Sequence, residues 1–234
     1  MKNKLHRLPK ELRLLLRLAL MALMVFCLWL KAGTPGLSPQ GALRKAEQVR
    51  LLEQGTFLTG TYTFPDTQWG TRFYPAVSRT KSQLHIAEVK RKGLFWQPIG
   101  RVVSIPLEEP VTAALLPWQI NIENDEICYP AVTVYCPEAA SVSAAMTIGG
   151  EGLPPKTFSA RTGKGEKGCF LVAFEDLYLS EARQPYLAVY RNLNAYYHRR
   201  VSLGTAYITV DLSVFDQSGD LLAQKTLFYS DPAQ

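Results

Sequence analysis

Three rhythms of apolar residues follow one another along the chain. From Leu18 to Leu30 thirteen residues are apolar without a break, and Leu14, Leu15 and Leu16 extend the run across Arg17. At 1.5 Å per residue this makes a helix of about 25 Å, at the short end for crossing a bilayer. Helical spacing returns in Leu43, Ala46, Val49 and Leu52, with Arg44, Lys45, Glu47, Arg50 and Glu53 on the other side. Ser38 suits the N-cap, Pro39 the first helical position and Gly55 the stop, so one amphipathic helix of about four turns is expected.

Past Gly55 the period drops from 3.6 to 2. Phe57–Phe64, Arg72–Val77, Gln83–Lys90, Leu94–Ile99 and Arg101–Ile105 are short aromatic or β-branched runs separated by turn formers, as in an antiparallel meander. Pro106, Pro110 and Pro117 then suggest a break between subdomains. Beyond it Val142, Ala144, Met146 and Ile148 alternate with small polar residues, as do Ile208, Val210, Leu212 and Val214. Asp216 to Asp220 turns the second of these into Leu221–Tyr229, a C-terminal hairpin. With Ala131–Cys136, Cys169–Phe174 and Tyr186–Tyr190, about seven strands fit a β-sandwich of immunoglobulin-like size. The expected chain is mainly β: a basic tail over 1–13, a transmembrane anchor over 14–31 and a stalk over 32–38. A helix plus meander over 39–117 and a sandwich over 118–234 complete it.

Charge changes the picture in one respect. The net charge is +6, a value that invites a nucleic-acid reading. Residues 1–31 hold seven of the 26 Lys/Arg and one of the 20 acids, so the rest of the chain carries 19 of each. The whole excess belongs to the anchor, and nucleic acid is not an expected partner. Six cations precede the apolar run and only Lys31 closes it, which places the N-terminus in the cytoplasm and the body outside. A cleaved signal is the rival reading. Against it, Trp29-Leu30-Lys31 offers no small-residue cleavage site.

Candidate chemistry is sparse. His6 lies in the tail; His85, among Leu84, Ile86 and Val89, is expected to face solvent, and His198 follows Tyr196-Tyr197. There is no HExxH, Walker, GxSxG or Ser-x-x-Lys spacing, so no metal, cofactor or catalytic set is assigned. Adjacent acids at Glu108-Glu109, Asp125-Glu126 and Glu175-Asp176 read as loop charges. Cys128, Cys136 and Cys169 form an odd set outside the anchor, with Cys136–Cys169 the preferred disulfide because both fall in expected core strands. Tyr190, Arg191, Tyr196, Tyr197, His198, Arg199 and Arg200 combine aromatic faces with cations and form the candidate binding surface. These features favour a tethered binding or accessory module over an enzyme. Its partners would be membrane lipid through 14–31 and an envelope protein or cell-wall polymer. The alternative is an envelope hydrolase with a site near His198.

The Ser38-Pro39-Gln40-Gly41-Ala42-Leu43-Arg44-Lys45-Ala46-Glu47 helix start, the basic tail and single span before it, and the C-terminal Asp-x-x-Gly hairpin form one layout. It resembles single-pass, membrane-anchored β-domain proteins of Gram-positive, clostridia-type bacteria. That resemblance implies a cell-envelope location and brings no catalytic residues with it.

Overall fold

The computed structural model describes residues 9–31, 36–59, 73–122, 125–150, 152–163, 165–178, 185–190 and 205–230. Helix α1 covers Lys10–Lys31. Its large apolar side chains from Leu12 to Phe26 are exposed, with none turned into a protein core. Among the described residues no helix is long and apolar enough to cross a membrane.

Helix α2 spans Pro39–Val49. Its start is as expected: Ser38 is extended, and its hydroxyl accepts from the Gly41 N–H at 3.1 Å. Its stop comes earlier than Gly55. Leu51 takes a left-handed conformation with φ 56°. The Leu52 and Leu51 amides donate back to the carbonyls of Glu47 and Gln48 at 2.9 and 3.1 Å. These are the two bonds of a Schellman ending, with a leucine where glycine is favoured. The apolar stripe is cut short in consequence, and Val49 is exposed.

Among the described residues three four-stranded antiparallel sheets follow. The first is a meander of β1 (Thr56–Thr59), β2 (Phe73–Arg79), β3 (Gln83–Lys92) and β4 (Phe95–Pro106), in that order. Two expected strands, Leu94–Ile99 and Arg101–Ile105, are the single strand β4. Gly100 sits in an irregularity where Ile86 pairs Val103 while Glu88 pairs Ile99, so the glycine bends a strand and does not end it. The second sheet runs β5-β6-β10-β9, from β5 (Thr112–Ile122), β6 (Asp125–Tyr135), β9 (Gly165–Glu166) and β10 (Cys169–Ala173). The third runs β12-β11-β7-β8, from β7 (Ser141–Gly150), β8 (Leu153–Thr162), β11 (Tyr207–Phe215) and β12 (Leu221–Ser230).

Two-residue turns set several registers. Glu166 pairs Cys169 across Lys167-Gly168, both with positive φ, the conformation that matches strand twist in a tight hairpin. In the expected C-terminal hairpin Asp216 Oδ1 accepts from the amides of Ser218 and Asp220 at 2.8 and 2.9 Å. The segment expected as strand Tyr186–Tyr190 is helical over 185–190. Strands β5 and β8 carry prolines and were not expected; Pro117 pairs Pro130 within the β5–β6 hairpin. The expected cut at 117/118 therefore falls inside β5.

The layers stack as α2, sheet 1, sheet 2, sheet 3. Ala42, Leu43 and Ala46 pack on Ala76, Ala87, Val89 and Val102 of sheet 1. The opposite face of sheet 1, with Val77, Leu84 and Ile86, meets Ala114, Ala131, Tyr135, Cys169 and Leu171 of sheet 2. Sheet 2 turns Val132, Val134, Phe170 and Val172 the other way, onto Val142, Ala144, Met146, Ile148, Ile208, Val210, Leu212 and Val214 of sheet 3. A sheet covered on both faces needs apolar residues at every position. That is why Ala131–Cys136 and Cys169–Val172 are buried without alternation, whereas β7 and β11 alternate strictly.

Candidate functional site

Among the described residues, the interface between α2 and sheet 1 holds the most concentrated buried polar chemistry. Register places Ser78 of β2 opposite His85 of β3, and His85 opposite Ser104 of β4. Ser78 and His85 share strand parity with Ala76 and Ala87, which lie under α2. Glu47 comes from α2 above them. Glu47, Ser78 and His85 are each no more than 2% exposed, while Ser104 opens to solvent. The Ser78 hydroxyl donates to Glu47 Oε1, and His85 Nδ1 lies 2.8 Å from Ser104 Oγ. The outcome is one row: carboxylate, hydroxyl, imidazole, hydroxyl.

Close backbone approach builds this row. Gly55 is buried against Ser78, where an added Cβ would meet Ser78 Oγ at 2.8 Å and the Arg79 carbonyl carbon at 2.9 Å. Glycine there serves close packing over Ser78 and is not a helix stop. The Arg50 guanidinium donates to the Val102 carbonyl at 3.4 Å, tying the end of α2 to β4.

Two atoms of the row have no hydrogen-bond partner among the described residues: Glu47 Oε2 and His85 Nε2. The expectation of a solvent-facing His85 is therefore corrected. Flanking apolar residues signalled a strand, but the pairing register turns this position towards α2. An alcohol becomes a nucleophile when a base takes its proton and a third group orients the base. Here the Ser78 hydroxyl donates a hydrogen bond to the carboxylate, and among the described residues the imidazole that meets Ser104 has no orienting acid at Nε2. The arrangement acts as a polar clamp between helix and sheet. Among the described residues no group of three or more His, Cys, Asp or Glu could hold a metal ion.

Glu88 lies on β3 at the parity of Leu84 and Ile86, away from α2. Burial pushes its carboxyl up to about 8. Its Oε1 has no hydrogen-bond partner among the described residues. No sequence motif marked Glu88 or the Glu47 row; only the strand register brings them inside.

Of the expected binding surface, Tyr190 is the described member, and it is a core residue. It is fully buried, and its phenol oxygen accepts from the Ala131 N–H at 3.2 Å. A large ring with one polar atom fills the end of the core and satisfies a backbone donor there. Arg191, Tyr196, Tyr197, His198, Arg199 and Arg200 lie outside the described residues.

The expected Cys136–Cys169 disulfide is not formed; both are free, buried thiols. Cys169 pairs Tyr135, the neighbour of Cys136, so the two cysteines fall on opposite faces of sheet 2 and enter different cores. Burial, with the Glu166 charge nearby, pushes the Cys169 thiol up to about 12, which keeps it protonated and inert.

A second polar–aromatic group sits on β8, a strand missed because of Pro154-Pro155. The Lys156 ammonium lies 5.6 Å from the Tyr186 ring and 5.8 Å from Phe158, and the rings meet edge to face at 5.7 Å. The Tyr186 hydroxyl donates to the Pro154 carbonyl at 3.0 Å, which fastens the 185–190 helix to sheet 3. Comparison of the chain with protein-family models, with curated proteins and with solved structures found no match.

Proposed function

We propose that this protein is a membrane-tethered binding or accessory module, held by α1, with its β body on the extracytoplasmic side. The observation that carries the reading is the surface of α1. Leu14, Leu18, Met21 and Val25 are 60, 50, 58 and 66% exposed, and Leu15, Leu20, Leu23 and Met24 complete the circumference. A helix apolar on all sides and unburied by its own chain is poorly solvated by water and well solvated by lipid. The cations flanking it orient the insertion. Sheets 2 and 3 support an Ig-like sandwich: β6 to β7, β8 to β9 and β10 to β11 each cross between sheets, as in Greek-key folds. The outer face of sheet 3 carries Ser143, Thr147, Thr157, Ser159, Thr209 and Asp211 across three strands. It offers a polar contact surface for an envelope protein or polymer.

Alkaline extraction of membranes, followed by crosslinking and affinity capture in intact cells, tests this reading. The full chain should stay with the membrane, and a reproducible partner should be lost when residues 57–234 are removed. Release of the full chain into the soluble fraction would overturn the tether. Capture that persists without residues 57–234 would overturn the binding role of the β body.

A further inference from the structure

The β3–β4 hairpin lies where the chain from α1 joins the body. Trp96 forms an isolated antiparallel bridge with Gly36, its N–H donating to the Gly36 carbonyl at 2.6 Å. Trp96 also pairs Arg91, and Phe95 pairs Lys92 across the turn Gly93-Leu94. Gly36, Trp96 and Arg91 therefore lie side by side at the hairpin tip, at strand spacings of about 4.8 Å. Only residues 32–35 separate Lys31, the end of α1, from Gly36. Five Cα steps reach at most ~18 Å, so the tip is held within that distance, plus two strand spacings, of the helix end.

The tip has the composition of a membrane-interface element. Lys90, Arg91 and Lys92 are consecutive cations, followed across the turn by Leu94, Phe95 and Trp96. Leu94 is 76% exposed at the turn, and Leu37, next to Gly36, is 65% exposed. Arg91 bonds the Gly93 carbonyl through Nε at 3.0 Å, which braces the turn. Two exposed leucines beside three cations, within a short tether of an apolar helix, match a surface that is anionic outside and apolar just beneath.

We propose that the β3–β4 tip is a second membrane contact: Leu94 and Leu37 enter the interface, and Lys90 and Arg91 bind anionic phospholipid headgroups. This rests on the tether reading. The contact fixes how the body stands on the bilayer, with the β3–β4 end of sheet 1 held at the surface.

The test uses the full chain with Leu94→Cys carrying an environment-sensitive fluorophore, in a Cys27→Ala, Cys128→Ser background. The buried thiols of Cys136 and Cys169 stay unlabelled in the folded protein. Vesicles of phosphatidylcholine, with or without roughly one-third phosphatidylglycerol, are compared, and flotation after alkaline wash reports the tether separately. With phosphatidylglycerol the label should be quenched by lipid-borne nitroxide at least about twofold more than a label at Ser218→Cys in the β11–β12 turn. Lys90→Glu with Arg91→Glu should remove that difference while the chain still floats and keeps its thermal transition. If the chain floats and the two labels respond alike, the contact is overturned and the tether stands. A response at position 94 that ignores phosphatidylglycerol overturns the anionic assignment. Failure to float overturns the tether, and this inference with it.

Discussion

Sheet 1 with α2, and sheets 2 and 3 together, are built on different principles. The sheet 2–sheet 3 core is a continuous apolar block in which β7 and β11 alternate strictly and sheet 2 supplies Val132, Val134, Phe170 and Val172. The α2–sheet 1 half carries buried Glu47, Ser78, Thr80 and His85, and Glu88 is buried on the face of sheet 1 turned away from α2. Apolar burial contributes without regard to pH, whereas buried acids contribute only in their neutral or fully bonded form. The block therefore holds the fold, and the α2 half is where conditions can alter it.

The sharpest way to separate the halves is pH. Glu88 has a folded value near 8 against 4.5 in a free chain, so the folded state holds its proton more tightly. Stability is then greatest below the free-chain value and falls as pH rises from there through about 8. Glu88→Gln should raise stability at pH 9 by on the order of 5 kcal/mol and change little at pH 4. Urea melts of both proteins at the two pH values measure it. Equal curves at pH 9 would remove Glu88 as the cause.

Breaking the apolar block comes next. Phe170→Ala should cost about 4 kcal/mol with little pH dependence, read as a fall in the urea midpoint at unchanged slope. Tyr190→Phe tests the same block more finely. It leaves the Ala131 N–H without its partner, so a loss of roughly 2 kcal/mol is expected, read by calorimetry. The smallest effect lies in the other half. Leu51 is 93% exposed with positive φ, so Leu51→Gly should stabilise by about 1 kcal/mol, and Leu51→Ala should not.

How far the sequence could be read follows the same division. In β7, β11 and β12 one face is covered, so period-two alternation gave the strands and Asp216 to Asp220 gave their turn. Sheet 2 is covered twice, and its apolar runs gave Ala131–Cys136 and Cys169–Phe174 but not which way each residue points. That missing parity made Cys136–Cys169 look like a pair. Proline obscured β5 and β8, both edge strands, where a missing N–H costs no ladder bond. Tyr186–Tyr190 has β-forming residues yet folds as helix, because Leu187 and Tyr190 pack into the main core at helical spacing. The Glu47–Ser78–His85 row draws on α2, β2 and β3, and such a site becomes visible only once register is known. Leu51 shows a further limit: the local propensity of an exposed leucine gave no sign of a left-handed helix ending.

The most direct test of the division is hydrogen exchange of the full chain in lipid nanodiscs, comparing protection factors at pH 6 and pH 9. As Glu88 ionises, amides of α2 and sheet 1, such as Ala87 and Val89, should lose protection, while those of Val132 and Val210 keep theirs. Glu88→Gln should restore the first group. If both groups lose protection together and by the same factor, the molecule opens as one unit and the two halves do not differ in the way argued from their cores.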